Sequence, residues 1–482
     1  MSISHSLSNA LSGLTAASRM AEVVSSNLAN ALTDGYGRRS LDLSAATVGG
    51  RGAGVNVDGI TRTVDRGILA DRRLADASLS GLTQTADFMS RLEGLIGTAG
   101  APDSLANRVS GLEQALIDAS ASPSSDQHLQ SVVDRFNQLA GSLNTASDGI
   151  QNLRQDADKS ISQQVETLNT SLRQVAQLNA DITMSYNTGN DPSALMDQRQ
   201  QVIDKIAEIV PIREVDRQGG QVALMTTSGE TLIEGPPKQF GFAATNFITA
   251  EMTLDSGGLS GLTLDGAPFA PADGVGKLAG GSLGATFAMR DQTLTDAQIG
   301  LDAIARDLVE RFQDPAVDPT IGPGDAGLLT DNGAAFDPSN TVGLAGRIKL
   351  NASVDPAQGG ALSQIRDGVG ALAMGPVGNS QQINAWSDAL ADIRSTSAGG
   401  QAASASGHAA NLMSQIGTAR LSADSELSFA SGRWDTLRQA ELSNGVDSDY
   451  EMQMLLQIEQ AYAANAKVVQ TVESMIQTLM EL

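Results

Sequence analysis

The sequence contains no cysteine, and only 3% of its residues are aromatic. The first absence excludes disulfides, thiolate metal sites and cysteine nucleophiles. The second means that any core is built from aliphatic and small side chains, which suit long helix–helix seams better than a thick globular core. Cations are also short: 31 Lys+Arg stand against 55 Asp+Glu, a net charge of −24. That excess speaks for solubility and against binding a phosphate backbone, so nucleic acid is not an expected partner. No uncharged apolar run reaches the ~18 residues of a membrane span, so membrane insertion is not expected either. The three histidines, His5, His128 and His408, are scattered, and a catalytic or metal role is not expected of them. The stretch from Met1 to Leu14 lacks the basic segment and apolar run of a secretory leader. The expectation is a protein that stays in the cytoplasm or leaves it by a route that cuts no leader.

What is present is periodicity. Ile3, Leu7, Ala10, Leu14, Ala17, Ala21, Val24, Leu28 and Ala31 alternate steps of four and three, the rhythm of a coiled-coil seam. Ser, Asn and Thr edge this seam, so it can be packed on more than one side. Leu455, Ile458, Tyr462, Asn465, Val469, Val472, Ile476 and Leu479 repeat the rhythm at the other end. Ser448 and Glu451 read as a capping box that starts this second helix. Two such stripes bury each other, and the chain's ends are therefore expected to pair. Each arm alone is expected to be mobile in dilute monomer, because an isolated helix of this length is marginal in water.

Between the arms the pattern is helical over 126–182, then from Pro192, at the first helical position, to Val210 after a Gly189-Asn190 break with Asp191 as cap, over Leu294–Phe312, and over His408–Leu442. Between Pro211 and Gly281 the texture changes to short alternating runs separated by Ser-Gly, Gly-Gly and Asp-Gly turns. Residues 314–376 are also rich in Gly, Pro and Asp, with one strand candidate at "RIKLNASV". The fold class expected is mainly α with inserted β: an elongated, multi-domain protein with a paired helical base, a helical-bundle shaft and a small β-rich head. The boundaries are 1–60 and 443–482 for the base, 61–210, 282–313 and 377–442 for the shaft, and 211–281 with 314–376 for the head.

Candidate chemistry fails on inspection. "GGRGAGVNVDG" at Gly49–Gly59 has no Gly-Lys-Ser/Thr ending and reads as a hairpin turn. The acid-rich "DNGAAFD" and "DSDYE" lack the ligand spacing of a calcium loop. No enzyme activity, cofactor or metal is expected.

The arms carry a resemblance. "SLSNALSGLTAASRMAEVVSSNLANALTDGYGRR" resembles the N-terminal arm shared by the axial proteins of the bacterial flagellum, and "DSDYEMQMLLQIEQAYAANAKVVQTVESMIQTLMEL" resembles the C-terminal one. The arms alone do not separate rod, hook and hook-associated proteins. "QLNADITMSYNTGNDPSALMDQRQQVIDKIAEIV" and "GVNVDGITRTVDRGILADRRL" are similar to the FlgK family, the first hook-associated proteins. The resemblance implies a structural protein of the hook–filament junction on the extracellular flagellum, held in the cytoplasm before export by the flagellar type III machinery. Its implied partners are hook protein, the second hook-associated protein, further copies of itself in a ring, and a cytoplasmic export chaperone bound to the C-terminal arm. The alternatives are another axial component, of hook or rod, and a cytoplasmic coiled-coil scaffold.

The candidate site residues are assembly contacts. From the N-terminal arm they are Leu7, Leu14, Val24, Asn27, Leu28, Asn30 and Tyr36. From the C-terminal arm they are Leu455, Ile458, Tyr462, Asn465, Val469, Val472 and Ile476. Gly35 and Gly37 are expected to stop the first helix, with Tyr36 filling the step from an inner helical layer to an outer one. Asn465, a polar residue in an apolar seam, is expected to fix register against Asn27 or Asn30.

Overall fold

The computed structural model describes residues 3–48, 50–98, 100–270, 273–396 and 401–481. Gly49, the first residue of the expected hairpin turn, and Leu482, the last of the expected C-terminal arm, lie outside them. Helix α1 (Ile3–Ala29) leads into an antiparallel hairpin of β1 (Arg38–Val48) and β2 (Arg51–Thr63). Next come α2 (Arg66–Ile96), α3 (Leu105–Ala121), α4 (Asp126–Thr188) and α5 (Ser193–Ile209).

The inserted β structure follows. Strands β3 (Ile212–Asp216), β4 (Val222–Thr226) and β5 (Thr231–Ile233) form one antiparallel sheet. The two-residue strands β6 (Phe240–Gly241), β7 (Thr263–Leu264) and β8 (Ala267–Pro268) form another. Helix α6 (Gly281–Ala288) runs through a π-type turn at Met289–Thr293 into α7 (Leu294–Phe312). A short pair, β9 (Leu329–Asp331) and β10 (Ile348–Leu350), precedes α8 (Ser363–Asp367), α9 (Gln381–Ala391), α10 (Ala405–Ser443) and α11 (Ser448–Met480). The molecule is mainly α with small inserted sheets, and its two terminal helices pair.

Helix α4 organises the shaft. Ser125 caps its start, and Gly189, left-handed at φ 73°, ends it. At 63 residues it is about 95 Å long. Its first half, from Leu129 to Ala157, buries its apolar face with α2, α3, α7, α9 and α10. Its second half, from Ile161 to Val175, packs with α5, α6 and the sheets that follow α5. Between the two cores lies a buried polar waist. Asp158 accepts from Arg290 Nη1 at 2.6 Å, and Arg154 Nε donates to the Arg290 carbonyl at 3.1 Å. The Arg290 guanidinium also stacks on Phe242 and Phe287. Paired, stacked and hydrogen-bonded, these charges tolerate removal from water.

The cores separate what the sequence reading had joined. Residues 211–281 belong to the second core, but Ile321, Leu328, Leu329, Leu344, Ile348 and Ile365 are buried in the first. Segment 314–376 therefore does not share a head with 211–281. Each segment carries its own apolar residues, and the long helix offers a separate apolar stretch to each. The head is also less regular than its turn signals suggest: "EMTLDSGGLSGLTLDGAPF" yields only β7 and β8.

Two caps differ from expectation. Asp447, not Ser448, starts α11, accepting from the amides of Asp449 and Tyr450. Asp191 makes a turn with Ser193, and α5 begins without a side-chain cap. In both cases an aspartate carboxylate accepts from the backbone amide two residues on, the geometry of an Asx turn.

Candidate assembly interface at the paired arms

Helices α1 and α11 run antiparallel. Gly13 lies against Asn465, Ala17 and Val24 cluster with Ile458, and Arg38, just past α1, meets Glu451. A Cβ at Gly13 would stand 2.8–3.0 Å from the Asn465 side chain, so the glycine leaves room for that amide between the two helices. Asn465 therefore faces Gly13, and its amide donates to the Ala461 carbonyl one turn back. Neither Asn27 nor Asn30 is its partner, because antiparallel packing carries those residues toward the start of α11 instead.

Along the seam, Val24, Ile458 and Val472 are buried, whereas Leu7, Leu14, Leu28, Leu455, Asn465 and Val469 are half-buried. Tyr462 and Ile476 are exposed, as are Leu456, Met475, Leu479 and Met480 nearby. Helix α1 has a second packed face. Ser12, Ala16, Val23 and Asn27 recur on one side of it. Ser12 Oγ accepts from the Val55 amide, and Asn27 bonds Arg39, so this side lies on the β1–β2 hairpin. The chain thus uses α1 as a layer between hairpin and α11.

Asn27 is fully buried, and its amide works as a piece of backbone. Its nitrogen donates to the Arg39 carbonyl at 2.8 Å, and its oxygen accepts from the Arg39 amide at 3.0 Å and the Tyr36 hydroxyl at 2.9 Å. That set fixes the first residues of β1 against the last turn of α1. Asn30 bonds the Ser26 carbonyl and closes the helix end. Gly35 turns the chain with φ at 78°, a left-handed value that costs glycine little. Tyr36 then lies under the Arg39 guanidinium, 4.9 Å from its ring centre.

The turn is held from outside by α5. Asp197 accepts from the Gly37 amide at 3.0 Å, from Arg62 Nε at 2.7 Å and from Arg39 Nη2 at 2.7 Å. Gln200 accepts from Arg62, and Gln201 donates to the Asp34 carbonyl. The two stretches "TDGYGRR" and "LMDQRQQ", read separately in the sequence, are therefore one structure. The sequence reading missed Asp197 and Arg62, and took Glu451 for half of a capping box where the structure pairs it with Arg38. The signal available for Asp197 was a carboxylate in an otherwise amphipathic helix, with no cation at helical spacing to pair it.

Glu451 is fully buried, and Arg38 bonds it at 2.8 Å while stacking on Tyr450. This pair joins the first turn of α11 to the first residue of β1. Behind it, Arg72 of α2 binds three carboxylates: Asp76 at 2.5 Å, Asp204 of α5 at 2.7 Å and Glu441 of α10 at 2.5 Å. Burial pushes Asp76 and Glu441 above the usual carboxylate range, and these three acids around one cation hold the guanidinium above its ordinary value. Three shaft helices thus converge where the arms attach. Among the described residues no cluster of His, Asp and Glu is arranged to hold a metal, and no helix is long and apolar enough to cross a membrane.

Three family models match the chain in order. The flagella basal body rod protein model covers residues 7–36, the FlgK helical domain covers 89–315, and the C-terminal model of the flagellar basal body rod FlgEFG proteins covers 440–482. Flagellar hook-associated protein 1 of Escherichia coli strain K12 is 25% identical over 313 residues, which is 64% of this chain and 56% of that protein. The protein of the same name from Salmonella typhimurium strain LT2 is 29% identical over 238 residues, 48% of this chain and 42% of that one. The chain spans about half the length of the curated relatives it matches. A solved structure of the flagellar hook junction protein FlgK from Burkholderia pseudomallei aligns at a TM-score of 0.44 and 21% identity, over 54% of this chain and 46% of that one.

Proposed function

This chain belongs to the FlgK family of flagellar hook-associated proteins, and on that premise we propose that it is a structural, non-enzymatic subunit of the junction between flagellar hook and filament. The observation that carries the reading is the Asn27–Tyr36–Arg39–Asp197 node. It locks the arm turn onto the FlgK-type helical domain, so that the arm pair and the shaft move as one subunit. In this reading Leu7, Leu14, Leu28, Tyr462, Val469 and Ile476 complete their burial against neighbouring copies in a ring. Hook protein lies on one side of that ring and the second hook-associated protein on the other.

The C-terminal stripe from Leu455 to Leu479 needs a cover before assembly. A cytoplasmic export chaperone supplies it, and the subunit leaves through the flagellar type III machinery to the extracellular flagellum. A second reading, as a rod or hook component, draws on the arms, whose family models are those of rod proteins. The helical domain between them favours the junction.

The test is a deletion strain. Hooks without filaments, with flagellin shed into the medium and rescue by the intact gene, are expected, and the protein is expected in sheared flagella. Normal filaments in the deletion strain would sink the proposal. For the chaperone, Ile458, Val469 and Val472 changed together to Asp are expected to abolish pull-down. Unchanged capture places the chaperone elsewhere.

A further inference from the structure

The β1–β2 hairpin, the start of α2, the first half of α5 and β3 enclose a cleft of about 670 Å³. Five arginines line it, Arg62, Arg66, Arg73, Arg199 and Arg217, against two acids. This concentration of cations lies in a chain of net charge −24. The charge on Arg62 is met by Asp197, and that on Arg73 by Asp204 and Glu214. Arg199 has no such partner. It is 7% exposed, and its Nη1 donates to two neutral acceptors, Asn179 Oδ1 at 2.8 Å and the Gly220 carbonyl at 2.6 Å. Among the described residues it forms no ion pair. Burial pushes its guanidinium below the ordinary arginine value; the Glu214 carboxylate, already paired with Arg73, acts against this, and Arg62 and Arg73 add to it. Arg73, 3% exposed, keeps its Nη2 without an acceptor.

A guanidinium taken out of water without a counter-charge is costly. Its planar fork is also the side chain that matches a carboxylate or phosphate with two parallel hydrogen bonds. Arg66 and Arg217 sit at the rim in exposed pairs with Asp216 and Glu234, which contribute little as they stand and leave the cations free to attract an anion.

We propose that this cleft is an oxyanion site in which Arg199 and Arg73 hold a carboxylate or phosphate group. The anion is either free in solution or the acidic side chain of a second copy of the chain. The inference rests on the cleft alone and holds whatever structure the protein builds.

Calorimetric titration of the full chain with inorganic phosphate, and separately with citrate, at low ionic strength tests it. Binding of at least one is expected. Arg199→Gln is expected to weaken it about tenfold or more, the loss of a charge-assisted pair. Arg217→Gln, on the rim, is expected to weaken it severalfold. Sedimentation over a range of protein concentrations distinguishes the sources. Phosphate binding without any effect on association marks a free anion. Association that phosphate competes away, and that both variants lose, marks a second copy. Should Arg199→Gln fail to fold, the rim variant decides. Undiminished phosphate and citrate affinity in Arg217→Gln, or no anion binding and no salt-specific association in the intact chain, overturns the proposal.

Discussion

Helices α4 and α11 are both long, regular and amphipathic, yet they treat their apolar side chains in opposite ways. On α4, 22 of 63 residues are buried; on α11, three of 33 are. Helix α4 is enclosed by neighbours of its own chain along both halves. Helix α11 has α1 on one side and leaves Leu456, Tyr462, Met475, Leu479 and Met480 exposed. The difference teaches that periodicity reports that a face is to be buried, not by whom. The shaft is finished within one chain. The arm pair is held by polar bonds at its root and leaves apolar side chains exposed along its length.

That contrast can be broken at the root with the largest effect. Asp197→Ala leaves Arg39 and Arg62 without their shared carboxylate and the Gly37 amide without an acceptor. Removing one partner of a largely buried ion pair costs about 3–5 kcal/mol. The denaturant midpoint of the full chain is expected to fall accordingly, with faster amide exchange in β1. A drop under about 1 kcal/mol means that the node does not hold arm to shaft.

Asn27→Leu is next. It orphans the Arg39 amide and carbonyl, at about 1–3 kcal/mol for the unsatisfied groups. Exchange at Arg39 is expected to accelerate while the amides of α4 keep their protection. Equal loosening of α4 contradicts the division between the two regions.

Ile458→Ala touches only the small cluster with Ala17 and Val24. An open cluster loses less than a closed core, so at most about 2 kcal/mol is expected. Limited proteolysis is expected to trim both arms and spare the shaft. Arms cut no faster than in the unaltered chain show that the pair is held chiefly by its root.

The smallest effect belongs to Glu208, which is exposed as a residue but whose carboxyl is partly desolvated and raised above the ordinary range by that and by the charges of Asp76 and Asp204. A folded-state value above the unfolded one means that the folded chain holds the proton longer. Stability from this group therefore falls as pH rises through that window and returns on acidification. Glu208→Gln is expected to stabilise at about pH 7 by no more than about 0.5 kcal/mol, the side chain being exposed and screened. The gain is expected to vanish at about pH 3, where the carboxyl is protonated in both states. Urea midpoints at the two pH values check it, and a gain that persists in acid excludes repulsion as its cause.

Much of the shaft was legible because its signals are local. The span of α7, Leu294–Phe312, and the break after α4 at Gly189 follow from apolar spacing and one left-handed glycine. The node was not legible. Asp197 lies 160 residues from Gly37 and 158 from Arg39, and no local pattern announces a hydrogen bond across that distance. Asn465 shows the same limit from the other side. Its seam position was readable, but its partner depended on helix direction, and the antiparallel pairing delivers Gly13. Segment 314–376 was misplaced because Gly and Pro content reports irregular backbone without saying which core the apolar residues join.

Helix α4 passes without interruption from one core to the other, through a waist of buried charge rather than a linker. A bending moment applied at either end is therefore carried by a continuous strut about 95 Å long. A chain joined by a flexible tether would absorb such a load locally. This one passes it along the rod, and the tightly packed cores at both ends, low in compressibility, give the strut fixed seats to push against.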